Sequence, residues 1–133
     1  MKHERGQVSC LLMPARDVCM KIDSYSFGQI RIDGKAYSSD VIIYADRVDA
    51  TWWRKEGHRL QPEDLVAVLK ARPDVLVVGT GFFGVMSVPE YTVEQIRAAG
   101  VDVRVEKTGK AVDLFNKLAV GDSRVVAALH LTC

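Results

Sequence analysis

Val75-Leu76-Val77-Val78-Gly79-Thr80-Gly81-Phe82-Phe83-Gly84-Val85-Met86-Ser87-Val88-Pro89-Glu90, residues 75–90, is the stretch on which the fold turns. An apolar run opens into glycines at 79, 81 and 84, the G-x-G-x-x-G spacing of dinucleotide-binding turns. Glu106 stands near the place where such folds keep an acid for the ribose. A dinucleotide turn works because the next helix begins inside it and aims free N–H groups at the pyrophosphate. Pro89 argues against that, because it lacks an N–H and would clash within any helix begun at Gly81. Phe82 and Phe83 also put large rings where phosphates need a close backbone. The better helix start is Thr92, whose hydroxyl can cap together with Gln95. The glycines are therefore expected to make a tight turn after a buried strand.

Beyond this turn, the Thr92 helix ends at Gly100, and Val101 to Glu106 alternates as a strand expected to run parallel to 75–79. Thr108 opens a helix with Ala111, Leu114, Phe115 and Leu118 on its buried side. Arg124 to Leu131 is an almost continuous apolar run and reads as a central strand covered on both faces. Only two strands follow the glycine turn, too few for a complete dinucleotide domain. Before it, Pro62 suits a first helical position, Glu63 and Asp64 favour the positive helix end, Lys70 the last turn, and Pro73 forbids continuation. Nearer the start, Tyr25 to Ile32 reads as one strand bulged at Gly28. Asp33-Gly34 is a hairpin signal that returns residues 35–38 antiparallel, and Val41 to Tyr44 is a further short strand. Thr51 to Leu60 is strand or loop. Residues 1–22 read as an arm and 23–133 as the core of a single domain, 1–133. An antiparallel, hairpin-rich first part followed by alternating strands and helices gives an α/β domain with an N-terminal β-hairpin, a mixed sheet and flanking helices.

The 133 residues, 48% of them hydrophobic, suffice for one core but not for two. With 18 basic and 17 acidic residues the net charge is +1, so no global field draws the chain to nucleic acid or anionic lipid. No apolar run approaches the roughly 20 residues of a membrane helix. Cys10 to Met13 is too short for a signal-peptide core, and no transit-peptide composition is present. Three cysteines without metal-ligand spacing suit reduced thiols in a cytoplasm.

Two candidate surfaces follow. One is the crevice at the strand end, where Gly79, Thr80 and Gly81 offer N–H and hydroxyl groups and Phe82 an apolar wall. The helix start at Thr108 and Gly109, flanked by Lys107 and Lys110, is expected beside it, so a small anion fits there. His130 joins this crevice if its strand runs parallel to 75–79, and lies at the far edge if antiparallel; the residues leave both open. The second surface is for a protein partner, with Trp52, Trp53 and Arg54 as one contact segment and Phe82 and Phe83 as another. His3, in the arm, and His58, in a charged stretch, read as solvated, and no metal centre or cofactor is expected. No Gly-x-Ser-x-Gly elbow, Cys–His pair or acid cluster offers a catalytic nucleophile, so no catalytic residue is assigned. Asn116 reads as a structural hydrogen-bonding residue.

With these residues in view, the chain resembles the small single-domain family that contains mitochondrial NADH dehydrogenase (respiratory complex I) assembly factor three and the adipogenesis-associated MTH-domain protein. The matching pieces are Ser24-Tyr25 to Gly34, Trp53-Arg54 with Gly57-His58, Gly79-Thr80-Gly81, Val88-Pro89 and Gly100-Val101. They continue in Thr108-Gly109 with Ala111 and Asn116, and in Ala127 to Cys133, covering roughly residues 20 to 133. The resemblance implies a three-layer α/β domain with a central mixed sheet. It also implies a non-enzymatic assembly or protein-binding role, as for the mitochondrial relative, and transfers no catalytic residue. The absence of a targeting segment departs from that relative and points to a bacterial or archaeal cytoplasmic protein. The alternative expectation is a small-molecule or anion-binding protein, or an enzyme, using the crevice around Gly79–Gly84 and Thr108.

Overall fold

The computed structural model describes residues 20–121 and 123–133. The bulk of the N-terminal arm expected at 1–22 lies outside these residues, but Ile22 already belongs to a strand and is buried in the core. Among the described residues, two β-sheets and three α-helices make up the domain. The small sheet is antiparallel and ordered β1(Ile22–Ser26), β2(Gln29–Ile32), β3(Lys35–Tyr37). The large sheet has the order β5-β4-β8-β6-β7, with β4(Val41–Ile43), β5(Val48–Asp49), β6(Val75–Thr80), β7(Asp102–Glu106) and β8(Val125–His130). It is mixed: β6 is parallel to β7 and β8, whereas β4 is antiparallel to β5 and β8.

Two central strands, β6 and β8, are buried at every position, as their unbroken apolar runs require. Their side chains alternate between two cores. Val75, Val77, Val125, Ala127 and Leu129 face the long helix α3(Thr108–Ala119) and the small sheet, meeting Phe115 and Ile30. Leu76, Val78, Val126 and Ala128 face the other way, onto α1(Val66–Lys70), α2(Glu90–Ala98) and Leu60. A 3-10 turn, Pro62–Leu65, leads into α1, with Pro62 at its start as expected. Asn116 ties α3 to β1 by a reciprocal pair of hydrogen bonds: its Nδ2 donates to the Ile22 carbonyl and its Oδ1 accepts from the Ile22 N–H.

Several local expectations are corrected. Tyr25 to Ile32 is two strands rather than one bulged strand. Gly28, at φ +77°, turns the chain between β1 and β2, because a two-residue turn and a bulge produce the same slip in alternation. The register irregularity instead lies between Ile22 and Ser24. Asp33 and Gly34 form the second hairpin turn, both with positive φ, 49° and 82°. The helix expected from Thr92 begins at Glu90 with Pro89 as its N-cap, and Thr92 is buried inside it, donating from its hydroxyl to the Leu60 carbonyl. Residues 51–60 form a loop held by isolated bridges at Glu56–Arg59 and Arg59–Ser87.

Candidate functional site

The parallel pairing of β8 with β6 puts His130 opposite Thr80, so His130 reaches the same edge as the glycine turn. Here the chain's glycines have a visible purpose. Gly79 lies so close to α3 that a Cβ would stand 2.7 Å from the Thr108 hydroxyl and 2.8 Å from Leu129. Gly81, at φ +110°, backs onto the Thr132 carbonyl and the Cys133 backbone. The turn closes on the protein itself: the Gly81 N–H donates to Thr108 Oγ1 at 2.8 Å, and that hydroxyl donates to the His130 carbonyl at 2.6 Å. The N–H groups of Phe82, Gly84, Val85 and Met86 likewise reach the carbonyls of Thr132, Gly81, Cys133 and Thr80. No helical turn starts at Gly81, and the next helix waits until Glu90. A nucleotide or small anion at this turn would have to compete with bonds already made, and Gly109 and Lys110 stand beside it at the start of α3 without contributing to them.

On the other face of the same edge sits a buried polar cluster that the chain order conceals. Val41 pairs with Leu129 in antiparallel register, so Asp40 arrives across from His130. Asp40 Oδ2 lies 2.8 Å from His130 Nδ1 and 2.8 Å from an Arg54 terminal nitrogen, while Oδ1 accepts the Leu131 N–H at 2.8 Å. Arg54 also donates to the Gly57 carbonyl, and its side chain is 5% exposed. Burial alone would raise the Asp40 pKa. Hydrogen bonds from His130, the Leu131 N–H and Arg54 outweigh that and hold the carboxyl at about 2.

That depression fixes the sign of a pH effect. A carboxyl whose pKa falls from 3.8 to about 2 on folding stabilises the fold above pH ~4 and stops doing so as pH drops through about 2. Its contribution is about 1–2 kcal/mol after solvent screening. Urea midpoints measured between pH 5 and 2 should fall, and Asp40→Asn should flatten that slope; an unchanged slope would contradict the assignment.

Trp52, Trp53 and Arg54 do not form one contact strip. Trp53 is 75% exposed, but Arg54 turns inward to Asp40, and Trp52 is half-buried with its Nε1–H donating to the Asp64 carbonyl. In the sequence Arg54 looks like a surface group, because nothing local shows that a partly buried acid awaits it. Asp40 carries no local signal at all. His58, expected to be solvated, has its ring 5.7 Å from that of His130, and Cys133 joins them: one ligand-capable atom from each of the three lies within 4.8 Å of the others. His3 lies outside the described residues. The loop carrying His58 is held in place by the Ser87 N–H, which donates to the His58 carbonyl, and by the Leu60 N–H, which donates to the Ser87 carbonyl.

Beside this cluster two segments present aromatic rings to solvent. Phe27 tips the first hairpin, whose Gly28 N–H donates to the Leu131 carbonyl, and Tyr25 pins the same hairpin through its hydroxyl to that carbonyl. Phe82 and Phe83 follow the glycine turn. Their ring centroids lie 5.0 Å apart, with Phe27 at 5.7 and 6.0 Å. At the opposite, amino edge of the strands is an open depression of about 460 Å³ lined by Leu69, Arg72, Pro73, Asp74 and Val101, remote from His130.

Residues 22–130 match the model of the family described as protein of unknown function (DUF498/DUF598). The chain belongs to this family. A similar fold recurs in a conserved hypothetical protein of Pyrococcus horikoshii OT3, 31% identical over 85% of this chain and 99% of that one, with a TM-score of 0.72. A Mth938-like domain from Bordetella pertussis is 22% identical over 85% of this chain and 86% of its own, TM-score 0.61. A Bartonella henselae protein described as an outer membrane protein is 24% identical over 88% and 98%, TM-score 0.74. The last two show the shared fold alone. Among the described residues no helix is long and apolar enough to cross a membrane.

Proposed function

We propose that this Mth938-like domain is a non-enzymatic docking module that binds a protein partner through the Phe27, Phe82 and Phe83 surface, in a cytoplasmic setting and in the service of assembling a larger, respiratory-type complex. One observation carries the reading. Three of the chain's four phenylalanines stand together at 52%, 45% and 64% exposure, rather than in the core. Rigid aromatic rings grouped on a surface are what partner hot spots are made of, and a free monomer gains nothing from wetting them. Val85, 51% exposed beside the same turn, extends the apolar area, and Trp53 offers a further exposed ring. The anchoring is stiff, because the turn's N–H groups are tied to the Thr132–Cys133 backbone, so little ordering is needed on binding.

Recovery of partners from the source lysate by tagged protein tests this. Phe82→Ala with Phe83→Ala should cut recovery of a reproducible partner at least tenfold, since each hot-spot ring contributes about 2 kcal/mol, while the melting temperature stays near its starting value. Unchanged recovery would refute the surface. The second reading is a ligand-binding protein or enzyme in the crevice around Gly79–Gly84 and Thr108. Its support is the placement of His130 at that edge with an unbonded Nε2. Saturable binding of phosphate or a carboxylate, detected by amide shifts at 108–110 and insensitive to Phe83→Ala, would favour it.

A further inference from the structure

We propose that His58, His130 and Cys133 form a binding site for a thiophilic d10 metal ion of the Zn2+ class, with the fourth coordination position open. The inference is independent of the docking reading and starts from an unsatisfied atom. His130 is 5% exposed, yet its Nε2 has no hydrogen-bond partner among the described residues. A buried polar nitrogen left bare is costly, so it demands a reason.

The tautomer follows from the other ring nitrogen. Nδ1 lies 2.8 Å from Asp40 Oδ2, and a carboxylate oxygen accepts rather than donates, so the proton sits on Nδ1 and is donated to Asp40. The 3.1 Å approach of Arg54 to the same nitrogen is then a contact between two donors that share Asp40, rather than a hydrogen bond. With Nδ1 protonated, a neutral imidazole carries its free lone pair on Nε2. A carboxylate gripping one nitrogen while the other points at an ion is the usual support of a metal-bound histidine. Here the carboxylate is itself fixed by Arg54 and the Leu131 N–H, which holds the imidazole in one orientation.

The other two ligands are in place. One donor atom each from His58, His130 and Cys133 lies within 4.8 Å of the other two. Tetrahedral zinc, with bonds of roughly 2.0–2.3 Å, needs ligand atoms about 3.3–3.8 Å apart. The contraction required is at most about 1–1.5 Å. It falls on His58, exposed on a loop, and on Cys133, half-buried with a free thiol, while the strand-borne His130 stays fixed. Two imidazoles and one thiolate favour zinc over calcium or magnesium, whose preference is for oxygen. The thiolate also offsets the ion's charge close to the Arg54 guanidinium, whose own charge is matched by Asp40.

Cobalt(II) is the probe, because thiolate ligation gives it a near-ultraviolet charge-transfer band and four-coordination gives it intense visible bands. The full chain carrying Cys10→Ser and Cys19→Ser, so that Cys133 is its sole thiol, is titrated with Co2+ and then with Zn2+. Expected is one equivalent of cobalt with both band sets, displaced by equimolar zinc. His58→Ala and Cys133→Ser should each weaken binding at least tenfold, and Cys133→Ser should abolish the charge-transfer band; both side chains lie outside the core, so the fold should persist, as circular dichroism can verify. Phe82→Ala should leave the titration unchanged. Absence of the charge-transfer band at equimolar metal would overturn the site, as would a band that survives Cys133→Ser or an affinity indifferent to His58→Ala.

Discussion

Gly81→Ala is expected to lower the unfolding free energy by about 3–5 kcal/mol, the sum of a forbidden backbone angle and a clash. At φ +110° an L side chain is strained in open space, and here space is lacking: the new methyl would meet the Thr132 carbonyl and the Cys133 backbone. Neither obstacle is a flexible side-chain end that can swing aside. Relief would require the C-terminal segment to lift, releasing the bonds that the Phe82 and Val85 N–H groups make to it. Gly34→Ala is the control that separates the two causes. Gly34 has φ +82° but nothing within 4 Å of an added Cβ, so strain alone should cost it about 1–2 kcal/mol. Denaturant midpoints of the two variants read the difference directly, and equal losses would show that the close approach does not exist.

Asp40→Ala is expected to be comparably severe, at about 3–5 kcal/mol and roughly 10–20 °C in melting temperature. The substitution leaves the Arg54 guanidinium, 5% exposed, without its carboxylate, facing the neutral Gly57 carbonyl, the Trp52 ring 4.7 Å away and His130. It also strips the Leu131 N–H of its acceptor. Most of the loss is the penalty of a stranded charge rather than the net worth of the pair, and that distinction is testable. Replacing both partners together, Asp40→Leu with Arg54→Met, should recover most of the stability, because a buried ion pair and a packed apolar pair of similar size are close in energy. A double variant as unstable as the single one would mean that the Leu131 bond, not the charge, holds this edge together.

Much of the scaffold was legible from residue order. The apolar runs at 75–80 and 125–131 announce strands covered on both sides, and both are fully buried. Pro89 correctly bars a helix from the glycine turn, and Asp33-Gly34 marks its hairpin. Gly28 was ambiguous, since Phe27 at a turn and a bulge both break alternation by one residue. The parallel course of β8, which decides where His130 goes, rests on strand pairing that no local pattern encodes.

The polar cluster was the least legible part, and for a shared reason. Asp40 looks like an ordinary acid before a strand, Arg54 like a surface cation and His58 like a solvated loop residue. They meet only because β4 pairs antiparallel with β8 and because the loop 51–60 is held against Ser87. Side chains assembled by long-range register leave no periodic signal. The aromatic surface was half visible: Phe82 and Phe83 flagged themselves by following a glycine, while Phe27 joined them through a hairpin read as a bulge.

If the glycine turn gives its hydrogen-bonding capacity to the protein instead of a phosphate, one amide should say so. The Gly81 N–H donates to a buried hydroxyl that is itself bonded to the His130 carbonyl. Native-state hydrogen exchange should therefore find it as slow as Val77 and Ala127 in mid-sheet, opening only when the whole domain unfolds. Exchange at the rate of an exposed loop amide would mean the donor is free, and would favour an anion-binding turn.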